Sequence, residues 1–124
     1  MTDLEMLQIA VKTLDAKKGF DLKVIKIGDV SSIANYFVLA TGASSSQVKT
    51  LADETEQKLK EAGATPRRTE NYRGANWVVL DYIDVVIHIF YKETRDFYDL
   101  ERLWQDGEEI DIKTFTENKG TNND

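Results

Sequence analysis

The chain opens with apolar residues at helical spacing. Leu4, Leu7, Val11 and Leu14 form one stripe, and Thr2 with Glu5 makes a T-x-x-E capping box ahead of it. Gly19 suits the position just past the helix end. The pattern then changes to that of strands. Phe20 to Ile27 and Tyr36 to Thr41 (YFVLAT) are separated by turn-forming Gly28, Asp29, Ser31 and Ser32. A second helix is predicted from TGASSSQ to about Ala62. Ser44 and Gln47 have capping-box spacing, Val48, Leu51, Ala52, Thr55 and Leu59 form a buried stripe, and Gly63 closes the helix. A short strand fits around Arg68 to Tyr72.

Two further strands, Asn76 to Tyr82 and Val85 to Tyr91, are apolar on both faces. Trp77 and Val79 point one way, with Val78 and Leu80 opposite; Val85, Ile87 and Ile89 likewise oppose Val86 and Phe90. Strands of this kind are central in a sheet covered on two sides. A third helix is predicted over about Thr94 to Trp104, with Phe97, Leu100, Leu103 and Trp104 on one face. The order is helix, strands, helix, strands, helix. It predicts an α/β fold, a mixed sheet of about five strands with helices on its faces. Three helices cover two faces only partly, so leftover apolar sheet surface is expected to meet a partner.

Composition narrows the chemistry. At 124 residues the chain is one domain's length. The body is expected over 1–104, with 105–124 as an acidic C-terminal extension whose last residues, ENKGTNND, are mobile. There are no cysteines, which excludes disulfides, thiolate metal sites and a thiol nucleophile. With a single histidine, His88, no multi-histidine metal site can form. The acidic start, MTDLEM, lacks a secretory pattern, and no apolar run approaches the roughly 20 residues that span a bilayer. The expected setting is the cytoplasm, with no membrane contact.

The net charge is −6, and residues 105–124 carry six acids against two lysines. Neither part has the Lys/Arg excess that nucleic-acid binding requires, so no direct sequence-specific contact with nucleic acid is expected. Arg67, Arg68 and Arg73 are interrupted by Glu70 and read as solvated or salt-bridged surface. A protein of this charge acting near RNA holds on to a protein.

Few residues offer catalysis. TGASSSQ follows a strand and opens a helix, where free N–H groups can hold phosphate, and glycine followed by small hydroxyl residues is similar to nucleotidyltransferases. That chemistry needs paired carboxylates facing one side of a strand, whereas Asp81 and Asp84 are three apart across a turn. The plain reading is a well-capped helix. His88 lies mid-strand among apolar residues without a spaced nucleophile and reads as a hydrogen-bonded core group, with Asp84 as a candidate to orient it. Trp77 and Tyr82, with Asp81 and Asp84 beside them, read either as core aromatics with turn carboxylates or as an aromatic anchor rimmed by negative charge. No catalytic residue, metal site or cofactor is assigned.

NYFVLATGASSSQV, NWVVLDYIDVVIHIF and ETRDFYDLERLW together resemble the ribosomal silencing factor family (RsfS, iojap-like) over about residues 4–104. The resemblance implies a nucleotidyltransferase-like fold without enzymatic activity. It implies binding to the large ribosomal subunit through ribosomal protein L-fourteen, a block on joining to the small subunit, repression of translation when nutrients are scarce, and a homodimer. The alternatives are a large-subunit assembly factor or a nucleotidyltransferase-like enzyme. The family's W-x-x-x-D-x-G-D block falls on Trp77, Asp81, Ile83 and Asp84. The resemblance implies that Trp77, Leu80, Asp81, Tyr82 and Asp84 belong to or support the ribosomal-protein contact. Two positions depart from the pattern. Ile83 stands where the family has glycine, in a turn that needs φ > 0, and Gln47 stands where it often has histidine.

Overall fold

The structure, a computed structural model, describes residues 1–29, 32–72, 74, 76–99, 102 and 105–116, with the side chains of residues 97 and 98 outside that description. Its elements are α1 (Asp3–Ala16), β1 (Phe20–Lys26), β2 (Tyr36–Gly42), α2 (Ser45–Glu61), β3 (Arg68–Tyr72), β4 (Trp77–Asp81), β5 (Val85–Tyr91), α3 (Lys92–Tyr98), β6 (Glu108–Ile110) and α4 (Lys113–Thr116). The strands form one mixed sheet in the order β3-β4-β5-β2-β1-β6. Only β2 and β5 run parallel, joined by the crossover that contains α2.

One face of the sheet carries the main core. Leu7, Val11 and Leu14 of α1 and Val48, Leu51 and Leu59 of α2 pack against Val24, Val38, Leu80, Ile87 and Ile89. The opposite face holds a second cluster of Ile25, Ile27, Ala34, Phe37, Leu39, Val86 and Phe90, with Trp77 and Val79 partly buried at its margin. The two-sided strands thus sit at the centre of the sheet as predicted. The leftover apolar surface is narrower than expected, because Phe37, Val86 and Phe90 are all buried. α3 is tied to this second face by Arg95, whose guanidinium donates to the Asp21 carbonyl and, at 2.7 Å, to the Thr41 hydroxyl.

Local chemistry explains most boundaries. Thr2 Oγ1 accepts from the Glu5 N–H at 3.1 Å while Glu5 returns the bond to the Thr2 N–H at 2.8 Å, a complete capping box. Ser44 caps α2 through the Gln47 N–H. The Gln47 side chain does not close that box. It donates instead to the Lys17 carbonyl at 2.8 Å, joining the start of α2 to the end of α1.

Several expectations need correction. Leu4 is 59 % exposed, so the α1 stripe begins at Leu7 and is completed by Ala10. α1 does not end on Gly19. Lys18 takes the left-handed conformation at φ 71°, and Gly19 follows it, its N–H bonding the Leu14 carbonyl at 2.8 Å. Glycine is used at that site because a Cβ would lie 3.0 Å from that carbonyl oxygen. α3 stops at Tyr98, where Asp99 adopts φ 48°; Leu100, Leu103 and Trp104 lie outside the described residues, as does Arg73. The mixed sheet expected at about five strands has six. The sixth comes from the segment expected as an extension beyond residue 104: Glu108–Ile110 pairs with β1, and Phe115 of α4 is buried in the main core. Ile110 and Ile112 pack against the same core, so apolar burial outweighs the local acidity. The expected mobility of ENKGTNND concerns residues 117–124, outside the described residues.

Candidate functional site

The outer face of β4 is read most simply row by row. Residues 77, 79 and 81 share that face, and the register places Trp77 between Tyr72 of β3 and Phe90 of β5. Val79 lies between Glu70 and His88, and Asp81 between Arg68 and Val86. The first row is aromatic. Tyr72 and Trp77 are 5.0 Å apart at 46°, and Trp77 stacks on Phe90 at 5.2 Å and 27°. Tyr72 is exposed, Trp77 half-buried and Phe90 fully buried, so the row descends from solvent into the second core. The Tyr72 hydroxyl donates to the Glu70 carboxylate, which raises the phenol's pKa.

His88 fixes the indole. Trp77 Nε1 donates to His88 Nδ1 at 3.2 Å, and the imidazole meets Phe37 edge-on at 4.8 Å. Burial lowers the His88 pKa to about 4, against an opposing pull from the Asp81 carboxylate. The ring is therefore neutral at pH 7, with Nδ1 as acceptor. Asp84 does not orient it; Trp77 does.

The far end of β4 is a clamp. Asp81 Oδ2 accepts from Arg67 at 2.7 Å and lies 3.5 Å from an Arg68 nitrogen, and its Oδ1 accepts the Ile83 N–H at 2.8 Å. Burial pushes this carboxyl up. The Arg67 hydrogen bond, the Ile83 N–H and the two guanidinium charges together outweigh that and hold it below the usual carboxylate range. Beyond it the chain turns tightly. Asp84 N–H bonds the Tyr82 carbonyl at 2.9 Å around Ile83, which has φ 75°. An i→i+2 bond at a positive φ marks the rarer γ-turn, a strained form for a β-branched residue. The positive φ expected at Ile83 is thus present, held by Asp81.

The five residues singled out in the sequence separate into three places. Trp77 lies on the outer face. Asp81 shares that face four residues along, roughly 13 Å at strand rise, but its carboxylate is occupied by Arg67, Arg68 and the turn. Leu80 and Tyr82 belong to the main core on the opposite face; Leu80 has no exposed surface, and burial followed by the charge of Glu56 raises the Tyr82 pKa. Asp84 is exposed at the turn. Sequence reasoning placed Val79 on the face of Trp77 but missed Tyr72 as its neighbour; that signal was available only through the β3–β4 register.

The TGASSSQ segment has structural work. A Cβ on Gly42 would lie 2.9 Å from Val48 Cγ2 and 3.0 Å from its nitrogen, so glycine lets α2 approach the end of β2. Ser44 caps the helix and Ser45 donates to the Asn76 side chain. Among the described residues no group of three or more His, Asp or Glu side chains is placed to hold a metal ion, and no helix is long and apolar enough to cross a membrane.

Comparison with known proteins matches this architecture. The family described as ribosomal silencing factor during starvation matches residues 1–124, further than the 4–104 resemblance. A ribosomal silencing factor of Halalkalibacterium halodurans is 36% identical over 113 residues, covering 91% of this chain and 97% of the relative. The crystal structure of a Chromobacterium violaceum protein superposes with a TM-score of 0.81 at 36% identity, covering 85% of this chain and 88% of the other. A mouse protein named for mitochondrial assembly of the large ribosomal subunit is 28% identical over 105 residues, covering 82% of this chain and 45% of its own length. This chain therefore belongs to the ribosomal silencing factor family.

Proposed function

We propose that this protein binds the large ribosomal subunit through ribosomal protein L-fourteen and, by its bulk, blocks joining of the small subunit, repressing translation in the cytoplasm without a chemical step. The observation that carries the reading is the partly buried Trp77, stacked on Phe90 and held by His88 beside exposed Tyr72. A rigid aromatic that loses little conformational freedom on docking is the usual centre of a protein–protein hot spot. In this reading Trp77 makes the contact, Leu80, Tyr82 and Asp81 hold the strand and its turn from behind, and Asp84 supplies negative charge. A net charge of −6 favours a cationic polypeptide over RNA. A homodimer belongs to the same reading, on family grounds, and enlarges the obstacle; sedimentation over a concentration series tests it.

Occupying the joining face shifts the subunit equilibrium by differential affinity alone. Cosedimentation with purified large subunits tests the contact. Trp77→Ala should weaken binding by on the order of 2 kcal/mol, about thirty-fold. A folded variant that binds like the parent overturns the role of Trp77.

A second reading, a large-subunit assembly factor, is favoured by the printed name of the mouse relative. Association with immature large-subunit particles, and not with finished ones, supports it over silencing.

A further inference from the structure

The turn end of the sheet exposes apolar side chains that the Trp77 face does not reach. Ile83 is 53 % exposed and Ile33 63 %, as Leu4 is on the first turn of α1. Asn35 draws their segments together. Its backbone N–H bonds the Asp84 carbonyl at 2.8 Å, and its side-chain amide donates to Asp3 Oδ2 at 3.0 Å. Residues next to Leu4, Ile33 and Ile83 are thus tied to one point.

Ile83 is the informative member. A β-branched side chain in a left-handed γ-turn costs backbone strain, and one left half exposed returns little burial to the fold. The Asp81 carboxylate nevertheless holds it there through the Ile83 N–H, with Arg67 and Arg68 fixing that carboxylate in turn. Strain kept at little benefit to the fold points to a contact outside the chain. The surroundings choose its chemistry. Asp3, Asp29 and Asp84 stand in the same segments, whereas the nearby Arg67 and Arg68 are paired with Asp81. Like charge disfavours RNA, and it disfavours a second copy meeting this end with its own acids.

We infer that Ile83, Ile33 and Leu4, rimmed by Asp3 and Asp29, form a second docking surface for a cationic protein surface with an apolar pocket on the large ribosomal subunit, distinct from the Trp77 contact and adjoining it at Asp84. The inference rests on the proposed function for the identity of the particle.

The test separates folding from docking. Ile83→Gly relieves the turn while removing the anchor, so its melting temperature should rise by a few degrees while its affinity for purified large subunits falls about ten-fold. A rise in stability with affinity unchanged overturns the surface. Ile33→Ser should also weaken binding several-fold without unfolding the chain, and unchanged binding there counts equally against it. A photo-crosslinking amino acid at position 33 should join the protein to a large-subunit protein; joining to ribosomal RNA or to a second copy overturns the choice of partner. If the parent chain itself fails to bind large subunits, the proposed function falls, and this docking surface falls with it.

Discussion

The indole N–H of Trp77 donates to Nδ1 of His88 across adjacent strands, so the side chain proposed to make the contact is held by a buried neutral imidazole. Protonating His88 places a proton where the indole N–H points and removes the acceptor. Its Nε2 is buried without a hydrogen-bond partner, so a charged ring would bury an unpaired N–H that the charge of Asp81 offsets only in part.

Stability should therefore fall on mild acidification. The folded His88 pKa is lowered to about 4 by burial, while an unfolded histidine titrates near 6.5. Between those values the unfolded chain binds the extra proton, so stability is full above about pH 6.5, falls as pH drops and levels off below about 4. The expected loss between pH 7 and 5 is about 2 kcal/mol. Urea unfolding at both pH values measures it, and a flat response in that window contradicts a neutral buried His88.

Asp81 acts lower on the pH scale and through the turn. Its carboxyl is held below the usual range, so its contribution is present above the ordinary carboxylate pKa and disappears only as pH falls through the lower folded value. Asp81→Ala removes the turn acceptor and both ion pairs and should cost about 2 kcal/mol, a figure kept modest because Arg67 and Arg68 are largely exposed. Asp81→Asn keeps an oxygen for the Ile83 N–H and should cost about half as much. Equal losses in the two variants would show that the ion pairs dominate.

Lys18 offers a gain. It occupies the left-handed position after α1 that glycine usually fills. Lys18→Gly should stabilise the fold by about 1 kcal/mol, read as a higher urea midpoint at unchanged slope. A lower midpoint would show that the Lys18 side chain packs usefully.

Where periodicity and end signals agreed, the fold was legible from the residues. The capping box at Thr2, the Ser44 cap, the α2 stripe and the two-faced strands around Val78 and Ile87 all stand in the structure. What failed was settled at a distance. Nothing local distinguishes Leu4 from Leu7, yet only Leu7 packs into the main core. Glu108–Ile110 is too short and acidic to signal a strand, and becomes one only because the β1 edge accepts it. The site was half legible. The weight on Trp77 and the positive φ of Ile83 came from the family resemblance, and Asp81 looked like a free carboxylate until the β3–β4 register set Arg68 opposite it.

Salt should separate the electrostatic part of the docking from the aromatic part. Raising ionic strength from 0.1 to 0.5 M should weaken binding to large subunits several-fold while Trp77→Ala remains weaker than the parent at every salt. A salt-independent affinity would remove the role given to the acidic rim.

Light scattering of purified subunits as they reassociate tests the central claim most directly. Added at saturation to large subunits beforehand, this protein should suppress the rise in scattering when small subunits follow, and Trp77→Ala should restore it at the same dose. Full reassociation in the presence of bound parent protein would contradict the account.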